Sequence, residues 1–279
     1  MDLQAPAPFM EPLLIKGKRL YVFQRSRRDR LAMHIVAFKM TDLTILIPIH
    51  NEAGNIGVLI KEIGSALASG PDYEIIVVDD GSSDGSVEEA LMAGGDQIFV
   101  LRHEQRTGKS RALVTGFRAA GGKWVATLDG DGQNDPMDLA RLWPRLESAE
   151  PTLFAGVRKR RNDGFVKLLT SKFANFVRRR LLNDDCKDTA CGFKVLPRDL
   201  AQSLPYFDNM HRFLPALTRR AGLPVVEVNV EDRPRRAGVS KYGFFDRASV
   251  AVLDTVGVFW LIRRYSEPRS VVRMNNVEN

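Results

Sequence analysis

The sequence predicts an α/β protein with a mostly parallel β-sheet flanked by helices, and two observations support this class. Short apolar runs rich in valine and isoleucine alternate with helix-like segments from Asp42 onward, which is typical of parallel strands buried on both faces. The chain has 279 residues, of which 44% are hydrophobic and 27% are charged. This composition excludes a disordered, collagen-like or coiled-coil chain.

The predicted elements follow one another in a regular order. Strands are expected at residues 43–49, 73–78, 97–101 and 124–128, and helices at residues 55–69, 86–94 and 109–120. Right-handed crossovers between such strands give a doubly wound sheet, in which ligands bind at the carboxyl ends of the strands. We assign residues 41–243 to this domain, residues 1–40 to a basic N-terminal extension, and residues 244–279 to an amphipathic helix with a polar tail.

Three interpretations of residues 1–40 stay open. The segment is a flexible basic arm, a tether to a membrane surface, or an extension upstream of a start at Met33 or Met40. It contains no continuous apolar stretch of the kind that marks a secretory signal.

The most apolar stretch, residues 248–262, is too short to cross a membrane as a helix. Its 15 residues would span about 22 Å, whereas the hydrocarbon core of a bilayer is about 30 Å thick. Two interpretations remain. The helix is buried in the protein core, or it lies at a membrane interface with Phe259 and Trp260 at headgroup depth and Arg263 and Arg264 on lipid phosphates.

Acidic and amide side chains follow three of the predicted strands, in the loops at residues 48–55, 79–86 and 129–136. In a single loop, the preference of Asp, Asn and Ser for turns and helix caps would explain them, and this explanation suits Asp84 and Ser86 best. Because the carboxyl ends of parallel strands meet at one edge of a sheet, we expect the three loops to form one binding crevice.

Asp129, Asp131 and Gln133 are spaced two residues apart, so their side chains can point to one side of the loop. Such hard oxygen ligands suit Mg²⁺ or Mn²⁺, which keep bound waters and bridge to substrate phosphates. The glycines at positions 130 and 132 allow the backbone to fold tightly against a ligand. A calcium-binding loop is not expected, because the glycine at loop position six and the glutamate at position twelve are missing.

Two other motifs are weaker. The segment 106–110 lacks the first glycine of a phosphate-binding P-loop, since position 103 is histidine. A helix that begins near Lys109 could still present amides to an anion, although an ordinary helix start explains the segment more simply. The two cysteines, Cys186 and Cys191, are too few for a disulfide framework, which favours a reducing compartment. We interpret both as structural.

The net charge of +7 is unevenly distributed along the chain. Residues 1–40 contain 8 basic and 3 acidic side chains, residues 41–150 contain 9 and 18, and residues 151–279 contain 24 and 13. An acidic crevice would repel a polyanion and no compact nucleic-acid motif is present, so no nucleic-acid partner is expected. Phosphates of a nucleotide, of a phosphorylated acceptor and of anionic lipids account for the basic clusters.

Together these motifs resemble those of the family 2 glycosyltransferases with the GT-A fold, and among them those of the polyprenyl-phosphate sugar synthases. The resemblance runs from about residue 41 to residue 241. The motifs that carry it are PIHNEAGNI (48–56), VVDDGSSDGS (77–86), RTGKSRALVTGF (106–117), ATLDGDGQNDP (126–136), GVR (156–158), DTACGFKV (188–195) and RPRRAGVSKYG (233–243). The chain departs from the family at residues 1–40, at Cys191, and in lacking the transmembrane helices with which relatives often end.

The resemblance implies roles for individual residues. Those that would bind the nucleotide are Pro48, Asn51, Glu52, Asp79, Asp80, Lys109 and Asp129. Asp129, Asp131 and Gln133 would hold Mg²⁺ or Mn²⁺, and the catalytic residues would be Asp188, Asp131 and Arg158, with Asp188 acting as a base or as an orienting group. Those that would bind phosphate or the acceptor are Lys167, Ser171, Lys172, Arg235, Ser240 and Lys241.

The resemblance also implies an activity. The expected reaction moves a sugar, with inversion, from a nucleotide-diphosphate sugar to a polyprenyl phosphate, and UDP is favoured over GDP. The product would be a lipid-linked sugar for cell-envelope glycans or lipopolysaccharide. The enzyme would act as a peripheral protein on an anionic membrane, on the cytoplasmic face of the inner membrane, either alone or as a homo-oligomer. The alternatives are transfer to a sugar hydroxyl and a non-catalytic protein that binds a nucleotide sugar.

Overall fold

The structure of the protein is a computed structural model, which describes residues 13–15, 18–23, 34–39, 41–158, 178, 180–184, 186–235 and 246–264. Three strands precede the main domain: β1 (Leu13–Ile15), β2 (Lys18–Phe23) and β3 (His34–Lys39). They pair antiparallel in the order β1-β2-β3, in a sheet of their own. These strands were not predicted from the sequence.

Within the described ranges the main sheet has seven strands, in the order β10-β8-β9-β7-β4-β5-β6. β9 runs antiparallel to β7 and β8, and the other neighbours are parallel. The expected fold class, a mostly parallel sheet flanked by helices, is therefore confirmed. The strands are β4 (Leu43–Ile49), β5 (Tyr73–Asp79), β6 (Ile98–Arg102), β7 (Trp124–Thr127), β8 (Leu153–Arg158), β9 (Lys194–Pro197) and β10 (Val225–Val230).

Helices connect these strands and cover both faces of the sheet. They are α1 (Ile56–Ala66), α2 (Ser86–Gly94), α3 (Lys109–Ala119), α4 (Pro136–Glu147), α5 (Arg198–Ser203), α6 (Leu214–Arg220) and α7 (Asp246–Arg263). The predicted strand at residues 43–49 and the predicted helix at residues 86–94 have the bounds of β4 and α2, and the other predicted elements before residue 129 differ from the observed ones by at most three residues at either end. The elements between residues 129 and 245 were not predicted.

The central strand β4 shows why the sheet is buried on both faces. Ile45 and Ile47 point into a core with α1 and α4, whereas Leu46, between them, points into a second core with α3 and α5. This alternation is the two-residue period of a strand. Since all three side chains are fully buried, β4 is fixed at the centre of the sheet, and the loop that follows it lies at the carboxyl edge.

The C-terminal helix α7 has one buried and one exposed face. Val258 is 2% exposed and belongs to an apolar cluster with Leu182, Phe213 and Leu217. Phe259 also packs against this cluster, and the Arg263 guanidinium lies 4.4 Å from the centre of its ring. These contacts support the interpretation as a core helix, and Phe259 faces the protein and not the headgroup position proposed for it.

The opposite face of α7 exposes large apolar side chains. Leu253, Val256 and Trp260 are 71%, 57% and 60% exposed. No helix in the described part of the chain is both long enough and apolar enough to span a bilayer.

Candidate active site

The predicted crevice is present at the carboxyl ends of β4, β5 and β7. It contains a cavity of about 150 Å³, and seven of the residues that the sequence proposed for the site line it. These are Pro48, Glu52, Asp80, Lys109, Asp129, Asp131 and Arg235. His50 and Arg106 also line it and were not predicted, although both lie within motifs that the sequence analysis quoted.

Asp129 follows β7 and forms an ion pair with Lys109, the first residue of α3. Burial alone would raise the pKa of the Asp129 carboxyl, but the charge and hydrogen bond of Lys109 hold the pKa below its ordinary value. The backbone amide of Asp129 donates to Asn134 Oδ1 at 3.0 Å, which fixes the turn that carries the second carboxylate. Asp129 is therefore ionised at neutral pH and faces the cavity.

Gly192 lies directly against Asp129. A Cβ atom at this position would lie 2.5 Å from both carboxylate oxygens of Asp129, well inside van der Waals contact. The Thr127 hydroxyl donates to the Gly192 carbonyl at 2.6 Å, which holds the two segments of the chain together. The glycine in the CGF part of the sequence is thus required by the close approach of a site carboxylate.

Asp131 also pairs with a cation, since Arg235 Nη2 lies 2.6 Å from its Oδ2 atom. The third proposed ligand behaves differently. The Gln133 amide Nε2 donates to the Arg233 carbonyl at 3.4 Å, and its backbone amide donates to Asp131 Oδ1 at 3.2 Å. The structure therefore brings Asp129 and Asp131 to the cavity, while Gln133 holds the loop against the segment that carries Arg235.

The donor set at this edge fits a divalent cation with few protein ligands. Among the residues that the structure describes, no group of three or more His, Cys, Asp or Glu side chains is arranged to hold a metal. Mg²⁺ and Mn²⁺ sites that serve nucleotides use one or two carboxylates and complete the coordination with phosphates and water. Asp129 and Asp131, both lining one cavity, match that arrangement.

Asp188 and Arg158 form a bidentate ion pair. Arg158 Nε donates to Asp188 Oδ2 at 2.7 Å, and Nη2 donates to Oδ1 at 3.0 Å. This hydrogen bonding raises the pKa of Arg158, so the guanidinium stays charged. Both residues lie outside the lining of the 150 Å³ cavity, although the charge of Arg158 contributes to the low pKa of Asp129.

Two buried cations hold the segment that carries Asp188. Lys194, 3% exposed, donates to the carbonyls of Thr189, at 3.1 Å, and of Cys191. Arg178 donates to the Thr189 hydroxyl and, at 2.6 Å, to the Cys186 carbonyl. The sequence analysis did not assign Lys194, although a lysine within an apolar strand is a signal that could have identified it.

Both cysteines are buried, and burial raises the pKa of each thiol. A thiol with a raised pKa is a poor nucleophile at neutral pH. This agrees with their interpretation as structural residues.

His211 was also not assigned from the sequence. It lines a small space of about 10 Å³ with Lys109, Asp129 and Lys194, close to the volume that one water occupies. The Ser110 hydroxyl and His211 Nδ1 lie 2.8 Å apart. Burial, together with the charges of Lys109 and Lys194, holds the pKa of His211 well below its ordinary value, so the imidazole is neutral at pH 7.

The two aspartates after β5 bind protein groups. Asp79 is fully buried, accepts from the Ser82 amide at 2.9 Å and pairs with Arg102 at 3.1 Å. Asp80 lines the cavity, and its two oxygens accept from the amides of Thr107 and Gly108 at 2.8 and 2.7 Å. The segment 106–110 is therefore no P-loop, since two of its amides bind a protein carboxylate.

Asn51 lies outside the cavity lining, and its Oδ1 atom accepts from the Ser83 amide at 2.8 Å. Five proposed acceptor-binding residues fall outside the described residues, namely Lys167, Ser171, Lys172, Ser240 and Lys241.

Comparison with known proteins agrees with this geometry. The chain is 33% identical over 236 residues to the dodecaprenyl-phosphate galacturonate synthase of Rhizobium johnstonii, an alignment that covers 81% of this chain and 69% of that protein. It is 31% identical over 207 residues to the undecaprenyl-phosphate 4-deoxy-4-formamido-L-arabinose transferase of Pectobacterium carotovorum, covering 73% and 63%. The chain thus spans about two thirds of the length of these relatives.

Solved structures support the fold. Glucosyl-3-phosphoglycerate synthase from Mycobacterium tuberculosis, crystallised with Mg²⁺ and uridine diphosphate, superposes with a TM-score of 0.61 at 22% identity, over 80% of this chain and 79% of that one. A sequence profile described as glycosyl transferase family 2 matches residues 44–204, which contain β4 to α5 and most of the residues at the cavity. On this evidence the chain belongs to glycosyl transferase family 2.

Proposed function

We propose that the protein transfers a sugar from a nucleotide-diphosphate sugar to a polyprenyl phosphate, with inversion at the anomeric carbon. The observation that carries this proposal is the cavity at the strand ends, which is lined by the ion pairs Asp129–Lys109 and Asp131–Arg235, in a chain that is 33% identical to a dodecaprenyl-phosphate galacturonate synthase. We favour UDP over GDP as the nucleotide, and the sugar is a hexose or a uronic acid. The product would serve as a lipid-linked sugar donor for cell-envelope glycans or lipopolysaccharide.

The donor binds in the cavity with its diphosphate near these two ion pairs. Asp129 and Asp131 would hold Mg²⁺ or Mn²⁺, which neutralises the negative charge that develops on the departing diphosphate. Lys109 and Arg235, which pair with these carboxylates, then supply charged donors to phosphate oxygens. Pro48 and Glu52 line the same cavity and contact the nucleoside.

The acceptor phosphate needs little help from a general base. The second pKa of a phosphate ester is about 6, so the group is mostly dianionic at neutral pH. One of its oxygens attacks the anomeric carbon in line while the bond to the diphosphate oxygen breaks. Arg158 holds Asp188 in a bidentate pair, an arrangement that suits an orienting role for Asp188 better than proton abstraction.

A lipid acceptor requires contact with a membrane, and α7 offers a surface for it. Leu253, Val256 and Trp260 are exposed along one face of this helix, and Arg263 and Arg264 are exposed at its C-terminal end. Apolar side chains flanked by arginines favour the interface of an anionic bilayer. We propose peripheral binding through this face, at the cytoplasmic side of the inner membrane.

Transfer of a labelled sugar tests the proposal. The purified chain is mixed with polyprenyl phosphate in vesicles and with labelled UDP- or GDP-sugars, in the presence of Mn²⁺ or of EDTA. Label that enters the lipid fraction only with Mn²⁺ supports the proposed reaction. Asp131→Asn should abolish transfer while the circular dichroism spectrum is retained. The control is Asp96→Asn, which changes an exposed carboxylate just before β6, at the end of the sheet opposite the cavity. This variant should leave transfer unchanged.

Other outcomes would contradict the proposal. Metal-dependent label in a water-soluble glycan would favour transfer to a sugar hydroxyl. Nucleotide-sugar binding without transfer to any acceptor would favour a non-catalytic binding protein.

A further inference from the structure

The loop after β4 is held by side chains of the next loop and of α2. Four of these side chains, Ser82, Asp84, Ser86 and Glu89, form what we call the loop-anchoring cluster. They accept from four consecutive backbone amides: Asn51 to Ser82 Oγ at 2.8 Å, Glu52 to Ser86 Oγ at 2.8 Å, Ala53 to Asp84 Oδ2 at 3.1 Å and Gly54 to Glu89 Oε2 at 2.6 Å. Each bond joins residues that are 31 to 35 positions apart in the chain.

This pattern changes the interpretation of the serine-rich motif after β5. The sequence suggested that Asp84 and Ser86 cap a helix, but the N-cap of α2 is Gly85, which has no side chain to cap it. Asp84 does accept from the Ser86 amide at 3.1 Å. The remaining bonds of both side chains include those to the backbone of the loop after β4.

Glu89 has a second partner at the start of α1. Its Oε1 atom accepts from the Gly57 amide at 2.9 Å. The N-cap residue of α1, Asn55, makes no side-chain cap bond, and the first turn of α1 contains no acidic residue. The first amides of a helix need acceptors, and a negative charge there is favourable. Glu89 therefore supplies from α2 the capping carboxylate that α1 lacks.

Gly57 provides independent support for this contact. A Cβ atom at position 57 would lie 2.7 Å from Glu89 Cγ and 2.8 Å from Glu89 Oε1. Any larger residue would push the Glu89 side chain away from both amides. The glycine and the glutamate thus form a matched pair, although neither position belongs to the charged set proposed for the site.

The anchored loop forms one wall of the cavity. Pro48, Ile49, His50 and Glu52 line the cavity, whereas no member of the loop-anchoring cluster does. We propose that Glu89 is a positioning residue for the nucleotide-diphosphate donor, which holds the loop at residues 50–54 in its binding geometry through the amides of Gly54 and Gly57. This inference rests on the proposed function of the cavity.

The first test compares donor binding in three variants. Mn²⁺ with UDP, and separately with GDP, is titrated calorimetrically into the wild-type protein to choose the nucleotide that binds. Glu89→Ala should raise its Kd about tenfold, since a misplacement of about 1 Å in a positioning group can cost up to roughly a hundredfold. Glu89→Gln keeps one acceptor oxygen, so its Kd should lie between those of the wild type and of Glu89→Ala. Glu88→Ala removes an exposed carboxylate from the next position of α2 and should match the wild type.

Gly57→Ala gives a second route to the same effect. It should raise the Kd as Glu89→Ala does, and the double variant should be no worse than Glu89→Ala alone, because the clash disappears with the glutamate. In transfer assays both changes should raise the KM for the donor, with kcat and the KM for the acceptor within about twofold of the wild type. A merely structural role would lower Tm and leave the donor KM unchanged.

The outcomes separate the two proposals. If the wild-type protein binds neither nucleotide, the proposed function of the cavity is contradicted. If it binds one of them and Glu89→Ala, Glu89→Gln and Gly57→Ala all bind it equally well, the positioning role of Glu89 is overturned. Should Glu89→Ala fail to fold, Glu89→Gln and Gly57→Ala decide the question by the same measurement.

Discussion

At the scale of single residues, the close contact between Gly192 and Asp129 leads to a direct prediction. Gly192→Ala would place a methyl group 2.5 Å from both Asp129 oxygens, so the carboxylate must shift from its present position at the cavity. We expect transferase activity to fall about a hundredfold, the cost of a misplacement of about 1 Å, while thermal unfolding shows a folded protein. Gly257→Ala is the control, because nothing lies within 4 Å of a Cβ atom there. Full activity in Gly192→Ala would contradict the role of Asp129.

Asp80 predicts a pH dependence of stability. Burial alone would raise its pKa, but hydrogen bonds from His103, Thr107 and Gly108 lower the pKa below the ordinary value. Because the folded-state pKa lies below the unfolded one, ionised Asp80 stabilises the fold at neutral pH, and this contribution is lost progressively as pH falls below about 5. Asp80→Asn should lower the free energy of unfolding by about 2 kcal/mol at pH 7.

Urea unfolding of the wild type and of Asp80→Asn at pH 7 and at pH 4 checks this prediction. The difference in unfolding free energy between the two proteins should shrink at pH 4. A difference that is constant with pH would show that Asp80 is not the group responsible.

The residue scale also shows what sequence could and could not predict. The spacing of Asp129 and Asp131 after an apolar strand was sufficient to place both at the cavity. Asp79 and Asn51 fit the same rule, but their side chains bond to the protein backbone. A motif gives the type of residue at a strand end, but the partner of its side chain depends on amides elsewhere in the fold. Asp80, for example, accepts from the amide of Thr107, which lies 27 residues further along the chain.

At the scale of elements, the first half of the sheet was predictable and the second half was not. β4, β5 and β7 are continuous apolar runs bounded by turn residues, which is a strong local signal. β9 has only four residues, begins with the buried Lys194, and runs antiparallel between β7 and β8. Its direction depends on the path of the chain between residues 158 and 194, and no local pattern encodes that path.

The exposed face of α7 carries the next prediction. The triple replacement of Leu253, Val256 and Trp260 by serine removes three apolar side chains. In the wild type these side chains would move from water into the membrane interface on binding. Burying a large side chain contributes about 1.5–3 kcal/mol, so we expect at least tenfold weaker binding to vesicles that contain anionic lipid, measured by co-sedimentation. The triple variant should keep the wild-type Tm, because these side chains are 57% to 71% exposed.

A matched control tests whether any exposed apolar residue has this effect. Met92, on α2, is 81% exposed, and Met92→Ser should leave vesicle binding unchanged. Equal binding by the triple variant and the wild type would exclude α7 as the membrane surface.

At the scale of the whole molecule, the acidic and basic parts of the sequence meet at the cavity. Residues 41–150, with 18 acidic and 9 basic side chains, supply β4 to β7 and the carboxylates of the cavity. The cavity is nevertheless not an acidic patch, because Lys109 and Arg235 pair with Asp129 and Asp131. Arg235 comes from the basic part of the chain, so the site is formed where the acidic and basic parts meet. Such alternating charges suit a ligand that combines phosphates with a divalent cation.

This arrangement predicts that donor binding stabilises the entire fold and requires metal. A ligand that binds only the native state at 100 times its Kd adds about 2.7 kcal/mol, and 1 kcal/mol shifts Tm by about 2–4 °C in a domain of this size. UDP with Mn²⁺ should therefore raise Tm by roughly 5–10 °C. EDTA should abolish the rise, as should Asp131→Asn, whereas Asp96→Asn should preserve it. A larger rise in Tm with GDP would reverse the nucleotide preference. No rise with either nucleotide would contradict the cavity as the donor site. A ligand held between β4, α3 and the Arg235 segment cannot bind without stabilising the folded state of all three.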